Sequence, residues 1–195
     1  MTIILGSESP RRKEILQFFS IPFTQCSSNF DEESIVYTGE PAKYVETLAG
    51  KKAEALSAIH KDKPILTADT AVFCKGKLYN KPKDRNEAFS FLSELSNEVH
   101  SVFTGVALSY QNTLYVLSEE TKITFHDLSP DQINRYLDQI KFLDKAGSYA
   151  IQQGGGLLVK KLEGCYYNVM GLPLNSLREL LQKANIDLWS HIKNL

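Results

Sequence analysis

The sequence predicts an α/β protein with a mixed β-sheet, on three observations. A short apolar strand, Ile3–Leu5, runs into small residues and a helix that starts at Pro10. The segment 64–68 has the continuous apolar character of a buried strand. Two long β-rich segments, 99–110 and 114–125, flank a two-residue turn and predict an antiparallel hairpin. Because strands and helices do not alternate regularly, we expect parallel and antiparallel pairs in one sheet.

Five helices are predicted from apolar spacing and from proline or capping residues near their first turns. They are expected from Pro10 through Phe19 with Ser9 as its cap, from Pro41 through Leu56, from Asp84 to Leu95, from Ser129 to about Asp138, and after Pro173. Shorter strands are expected at 23–28 and 157–161. With no repeat or linker in the sequence, we expect one domain over residues 1–195.

The composition is that of an ordinary globular protein and argues against several functional classes. The 195 residues are 43% hydrophobic and 23% charged, with a formal net charge of −1. This balance gives no general attraction to nucleic acid or to anionic membranes. No apolar run is long enough to span a bilayer, and the start of the chain lacks a secretory pattern. We expect a cytoplasmic protein whose three scattered cysteines are reduced.

The turn after the first strand has the composition of an anion site. Pro10 suits the first position of a helix, and the free amides at a helix start favour phosphate. Arg11 and Arg12 lie in that first turn, where cations are disfavoured by about 0.3–1 kcal/mol. An anionic ligand or an acidic partner within the fold would offset this repulsion. The alternative is that both arginines extend into solvent.

Further charged residues are candidates for chemistry, each with a plainer alternative. Asp69 is predicted to follow the strand 64–68, where a rigidly held carboxylate can face a cleft or can simply cap a turn. Lys81 precedes a proline in a loop and can meet phosphate as a point charge or be solvated. Lys52 lies on a predicted helix, where lysines usually face solvent. The acidic loop 31–33 offers oxygen ligands for a divalent cation, although such loops are common.

In combination, these groups suit the hydrolysis of a phosphate anhydride. Cations and a metal would stabilise the departing phosphate, and the carboxylate would orient or deprotonate water. The sequence contains neither a P-loop nor a GxGxxG motif. A Walker-type nucleotidase and a dinucleotide oxidoreductase are therefore not supported.

The order of these residues resembles the Maf family of nucleotide pyrophosphatases, also called septum-formation proteins. The opening run Ser7-Glu8-Ser9-Pro10-Arg11-Arg12 is similar to the family's first motif. The later blocks are Asp31 with Glu32, Leu48 to Ala53, Ala68-Asp69-Thr70, Lys81-Pro82, Leu95 to Gly105, Asp144 to Gln152, and Val169 to Pro173. The resemblance covers almost the whole chain.

The resemblance implies a fold, a reaction and a set of site residues. The implied fold is an elongated α/β structure of the kind seen in inosine triphosphatase, with helices around a mixed sheet and a cleft between two lobes. The implied reaction cleaves a nucleoside triphosphate between the α and β phosphates with a divalent cation (Mg, Mn or Co). The implied roles are water activation by Asp69, phosphate binding by Arg11, Arg12, Lys52 and Lys81, and loop support by Ser7. Glu32 is implied to bind substrate and to help with the metal or with water, and Asp69 is implied to be a second metal ligand. Homodimers are frequent in the family.

Three positions imply a preference for dTTP and UTP. Arg11, Thr70 and Gln152 are similar to the pyrimidine subgroup, whereas the 7-methyl-GTP subgroup carries Trp, Gln and Glu at the matching places. The amide of Gln152 both donates and accepts hydrogen bonds, which suits a pyrimidine edge. CTP or modified pyrimidine nucleotides are further candidate substrates. The alternative function is a nucleotide-sensing or partner-binding protein, linked to cell division, with slow turnover.

Overall fold

A seven-stranded mixed sheet forms the centre of the computed structural model, which describes residues 1–193. The strands are β1 (Ile3–Gly6), β2 (Phe23–Cys26), β3 (Ile65–Cys74), β4 (Lys77–Tyr79), β5 (Val99–Tyr110), β6 (Thr113–Phe125) and β7 (Val159–Glu163). They lie in the order β2-β1-β3-β5-β6-β7, with β4 beside β3. β1 pairs in parallel with β2 and β3, and the other pairs are antiparallel, which confirms the predicted mixed sheet.

The helices match the sequence prediction with three corrections. They are α1 (Pro10–Leu16), α2 (Pro41–Ser57), α3 (Arg85–Leu95), α4 (Pro130–Gln139), α5 (Tyr166–Met170) and α6 (Leu174–Lys183). The prediction that α1 continues to Phe19 is wrong, because the chain leaves the helix and Phe19 pairs with Ile192 in an isolated bridge. Ser9 occupies the cap position of α1, but its side chain makes no capping bond. The short helix α5 had no sequence signal that we recognised.

The predicted caps of α3 and α4 and the predicted hairpin are confirmed. Asp84 accepts a hydrogen bond from the Glu87 amide, and Ser129 forms a complete capping box with Gln132. In the turn between β5 and β6, the residues at 111 and 112 both have positive φ, at 50° and 59°. Such a pair of angles matches the right-handed twist of a two-residue hairpin.

Two lobes pack against different parts of the sheet. In the first lobe, α1, α5 and α6 cover one face of β1, β3 and β5, and α2 covers the opposite face. In the second lobe, α3 and α4 pack against the other ends of β3, β5 and β6. The same sheet runs through both lobes. The single domain over residues 1–195 stays a prediction.

The sheet has a break along one edge of β3. β5 pairs with β3 from Ile65 through Phe73 and occupies the opposite edge. On the broken edge, the β1 pairing ends at Thr67 and the β4 pairing begins at Val72. Residues 68–71 therefore have no strand neighbour on this side, and the cleft between the lobes opens there.

Two further predictions bear on the class of protein. Cys26, Cys74 and Cys165 are all free thiols, as expected. Within residues 1–193, no helix combines the length and the apolar character needed to cross a bilayer.

Candidate active site

A cleft of about 300 Å³ lies at the break in the sheet. Nine residues that the sequence analysis assigned to a site line it: Ser7, Arg11, Arg12, Glu32, Lys52, Asp69, Thr70, Lys81 and Gln152. They come from the loop after β1, from α1, α2 and β3, and from three further segments between these elements. Asp31 and Glu33, the other members of the acidic loop, do not line the cleft. The fold thus brings these nine positions together, while the role of each stays a prediction.

Asp69 lies inside β3 and not at a strand end. It pairs with Gly105 of β5 in the middle of a ten-residue strand, so the expectation that it follows the strand is wrong. The strand continues because its β5 edge stays paired while its other edge is open. The ladder of β5 holds the carboxylate more rigidly than a loop would.

Lys52 joins Asp69 to Glu32. Its ammonium donates to Oδ1 of Asp69 and lies 2.7 Å from Oε1 of Glu32. The side chain is only 7% exposed, so two carboxylates share one buried cation. No described residue donates a hydrogen bond to the second Asp69 oxygen, Oδ2, which leaves that oxygen available to a ligand or to water.

The expectation that Lys52 faces solvent is wrong, although the neighbouring Lys51 does face solvent. Lys51 is exposed and pairs with Glu54 at 2.8 Å, one turn along the helix. Lys52 points toward the sheet, two turns beyond Val45 on the same face of α2. The helix approaches the sheet closely at that point, because a Cβ at Gly105 would lie 2.3 Å from the Val45 carbonyl oxygen. Gly105 therefore permits the approach that brings Lys52 to Asp69.

Glu32 connects the acidic loop to a second lysine. Asp31 caps a short 3₁₀ helix, Glu32–Ser34, by accepting from the Glu33 amide. Oε2 of Glu32 then lies 3.3 Å from the Lys81 ammonium. Burial raises the pKa of Glu32, but the charges and hydrogen bonds of Lys52 and Lys81 outweigh it and hold that pKa below its ordinary value. Glu32 is therefore a carboxylate at neutral pH.

Arg12 is fixed at three points by the protein itself. Its Nε donates to the Gly171 carbonyl at 2.7 Å, its Nη1 to Ser7 Oγ at 3.1 Å, and its Nη2 to Thr70 Oγ1 at 3.0 Å. Burial lowers the pKa of Arg12, and the charge of Asp69 opposes that shift. A guanidinium has five N–H donors, so two hydrogens remain for an anion in the cleft.

Arg11 lies at the mouth of the cleft and contacts the second lobe. Its Nη1 is 3.7 Å from Oδ2 of Asp144, whose Oδ1 accepts from Lys145 at 2.6 Å. Burial raises the pKa of Asp144, but Lys145 and Arg11 together lower it below its ordinary value. The pair spans the opening between α1 and the segment that leads to Gln152.

Gln152 is half-buried and lines the cleft. Its side chain does not cap the 3₁₀ helix Gln153–Leu157 that follows. The segment before it is anchored by Tyr149, whose hydroxyl lies 2.8 Å from Nε2 of the buried His100. Burial lowers the pKa of His100 to about 4, so this histidine is neutral at physiological pH.

The carboxylates of the cleft fit a divalent cation that arrives with phosphate. The residues that the structure describes contain no group of three or more His, Cys, Asp or Glu side chains that could hold a metal by themselves. Glu32 and Asp69 nevertheless both place an oxygen against the Lys52 ammonium, so they converge on one cationic position. Mg²⁺ commonly takes one or two carboxylates and completes its shell with substrate phosphates and water.

The sequence analysis missed three residues that shape the cleft. Gln25 of β2 donates to the Ser7 carbonyl at 2.7 Å and so holds the loop after β1. Asp144 and Lys145 line the cleft from the second lobe. The last two lie in a block that carried the resemblance, but a polar pair before a glycine is also an ordinary turn. Gln25 gave no signal, because a lone glutamine in a strand has no characteristic pattern.

Comparison with known proteins agrees with this geometry. Residues 2–184 match the family described as Maf-like protein. Curated relatives include the dTTP/UTP pyrophosphatase of Chlamydia caviae, 48% identical over 97% of both chains, and that of Chlamydia felis, 47% identical over the same shares. Among solved structures, the Staphylococcus aureus Ham1 protein superposes with a TM-score of 0.53 at 14% identity, covering 94% of this chain and 100% of the other. That likeness confirms the expected fold, and the sequence matches show that the chain belongs to the Maf family.

Proposed function

We propose that this protein hydrolyses dTTP and UTP to the nucleoside monophosphate and pyrophosphate. One observation carries the proposal: a carboxylate with an unoccupied oxygen, Asp69, faces the same cleft as Arg11, Arg12 and Lys81. The relatives in two Chlamydia species bear the name dTTP/UTP pyrophosphatase and match nearly the full chain. The geometry supports the same reaction class, because a general base and phosphate-binding cations are what anhydride hydrolysis needs.

Asp69 is the proposed general base. Oδ1 is held by Lys52, so Oδ2 takes a proton from water. The water oxygen bonds to the α phosphorus, the bond from that phosphorus to the bridging oxygen breaks, and the electron pair leaves with pyrophosphate. Since Asp69 lies within a paired strand, its carboxylate keeps one orientation during the reaction.

The cations of the cleft are the proposed phosphate ligands. Arg12 offers its two remaining N–H groups, and the exposed Lys81 side chain can turn from Glu32 toward a phosphate. Arg11 adds charge at the mouth, and Ser7 supports the loop by accepting from Arg12. Glu32 and Asp69 are the proposed protein ligands of a divalent cation (Mg, Mn or Co), which when bound neutralises phosphate charge.

Base selection is assigned to Gln152, with Arg11 and Thr70 as the other candidates. Gln152 is half-buried in the cleft, and its amide can pair with the donor and acceptor groups of a uracil or thymine edge. CTP or a modified pyrimidine nucleotide remains a candidate on the same chemistry. The three free thiols accord with the cytoplasmic location that we also propose. Homodimer formation stays a prediction.

Hydrolysis in ¹⁸O-labelled water tests the reaction. We expect the purified protein with UTP, dTTP and Mg²⁺ to release pyrophosphate and to place the label in the monophosphate. Asp69→Asn keeps the size of the side chain and should lower kcat by roughly a hundredfold or more, with little change in nucleotide affinity. Release of orthophosphate, or nucleotide binding without turnover, would overturn the proposal and favour a nucleotide-sensing role.

A further inference from the structure

Tyr136 connects α4 to the segment that carries Gln152. Its ring belongs to the hydrophobic core of the second lobe, together with Ile133 and Leu137 of the same helix, and the residue is only 9% exposed. The backbone amide of Ala150 lies 3.1 Å from the Tyr136 hydroxyl oxygen. Because an amide nitrogen can only donate, that oxygen accepts the bond. The backbone two residues before Gln152 is therefore fixed to α4.

The chain is held a second time just after Gln152. The Gly155 amide donates to the Gln152 carbonyl at 3.1 Å. The Gly155 backbone also packs against Ala150, since a Cβ at position 155 would overlap the Ala150 carbonyl oxygen. The Gln152 side chain makes no capping bond to the 3₁₀ helix that follows it. The location of its amide group thus depends on the two points at which the backbone is held.

The Tyr136 hydroxyl holds this segment from outside the cleft. Ala150, Gln152 and the other anchor of the segment, Tyr149, all line the cleft, whereas Tyr136 is not among the described residues that line it. Burial raises the pKa of Tyr136 to about 12, so the hydroxyl is neutral at physiological pH. A change at Tyr136 can therefore reach a bound ligand only through the residues that it holds.

We propose that Tyr136 is a positioning residue for base recognition: its hydroxyl holds the Ala150 backbone and thereby places the Gln152 amide against the base. The inference rests on the proposed function, in which Gln152 contacts the base. A residue that acts in this way affects the recognition of the base and leaves the binding of the triphosphate unchanged. It has no further effect once the Gln152 amide has been removed.

A double-mutant cycle with Tyr136→Phe and Gln152→Ala tests both consequences. Phenylalanine keeps the buried ring and removes only the hydroxyl oxygen. Two quantities are measured for wild type, for each single variant and for the double variant. They are kcat/KM for UTP with Mg²⁺ and the inhibition constant of inorganic tripolyphosphate, which has phosphates but no base. Tyr44→Phe is the matched control, because Tyr44 is 8% exposed and lies on α2 outside the cleft lining.

We expect Tyr136→Phe to lower kcat/KM for UTP by roughly threefold to tenfold, the usual effect of losing one hydrogen bond between neutral groups. Gln152→Ala should lower it by at least as much. Adding Tyr136→Phe to Gln152→Ala should lower it by less than about twofold more, because residues that act through one contact are not additive. The tripolyphosphate inhibition constant of Tyr136→Phe should stay within about twofold of wild type, since sites that share no partner do not couple. Tyr44→Phe should match wild type in both quantities.

Three results would overturn the proposal. They are wild-type UTP kinetics in Tyr136→Phe, a tripolyphosphate constant that weakens as much as kcat/KM for UTP, and an equal loss with and without the Gln152 amide. If Tyr136→Phe does not fold, Gly155→Ala displaces the same Ala150 backbone from the other side. It should lower kcat/KM for UTP without changing the tripolyphosphate constant, and the opposite pattern would contradict the proposal.

Failure of the proposed function gives different results. A wild-type protein that releases no pyrophosphate contradicts that function alone, because the same cycle can be measured by calorimetric binding of UTP and tripolyphosphate. Wild-type kcat/KM for UTP in Gln152→Ala contradicts the assignment of base selection to Gln152, and it therefore overturns the inference about Tyr136 as well.

Discussion

Replacing Gly105 by alanine should damage both the fold and the candidate active site. A Cβ at this position would lie 2.3 Å from the carbonyl oxygen of Val45 and 2.8 Å from the amide nitrogen of Glu46. Both atoms belong to the backbone of α2, which cannot rotate away as a side chain can. The helix must shift, and with it Lys52, which contacts the Asp69 carboxylate.

The expected magnitude follows from these contacts. Overpacking a core usually costs about 1–3 kcal/mol, and rigid backbone neighbours place this substitution at the upper end, about 3 kcal/mol. For a chain of this length, Tm changes by about 2–4 °C per kcal/mol, so we expect a fall of roughly 6–12 °C. A displacement of about 1 Å at a catalytic group can lower kcat by roughly a hundredfold, and we expect a loss of that order.

Gly50→Ala is the matched control on the same helix. Its Cβ would lie 3.6 Å from Leu114 and 3.8 Å from Val116, which is ordinary contact. Alanine favours the helix by about 1 kcal/mol over glycine, so Tm should rise by about 2–4 °C with activity unchanged. Thermal unfolding and pyrophosphate release at 25 °C measure both effects. A Gly105→Ala protein with wild-type Tm and kcat would refute the reasoning.

Three further predictions concern polar groups that are buried or that hold a loop in place. Burial lowers the pKa of His100 to about 4, so the unfolded chain takes up this proton first as pH falls below about 6.5. The free energy of unfolding should therefore drop by about 3 kcal/mol between pH 6.5 and 4, and urea titrations of His100→Phe should lack that component. In the same titrations, Lys52→Met should lower the free energy of unfolding by about 3 kcal/mol, because it leaves two paired carboxylates without their cation. The control Lys51→Met should lower it by less than about 1 kcal/mol, because that ion pair is exposed. Gln25→Leu should lower the free energy of unfolding by about 1 kcal/mol, because it removes the hydrogen bond to the Ser7 carbonyl. It should also raise the KM for UTP, since the loop after β1 is held less firmly. An unchanged KM would contradict the role of Gln25 in holding this loop.

Local signals in the sequence were sufficient to predict most of the helices and strands of the fold. The caps at Asp84 and Ser129 depend on hydrogen bonds to amides only three residues away, so the sequence alone specifies them. The hairpin between β5 and β6 likewise depends on two residues that tolerate positive φ. The end of α1 depends on a distant bridge from Phe19 to Ile192, and that end was misplaced.

The contacts of the candidate site could not be predicted in the same way. Arg12 and Gly171 are 159 positions apart, and Lys52 and Asp69 belong to elements that meet only after α2 packs on the sheet. Sequence patterns identified which residues come together in the cleft, but not which of their atoms contact each other. The burial of Lys52 is an example, because helical spacing alone places a lysine near an apolar face without showing the carboxylates that stabilise it there.

The break in the sheet explains how these groups can serve one ligand. If β3 were paired along both edges, Asp69 and Thr70 would lie on opposite faces and the sheet would separate them. Residues 68–71 are unpaired on one edge, so a ligand placed against that edge can contact both faces. α1 and α2 cover opposite faces of the sheet, and each supplies a cation at this position, Arg12 and Lys52. The open edge therefore allows Asp69, the proposed general base, and Thr70, which accepts a hydrogen bond from Arg12, to be neighbours in sequence.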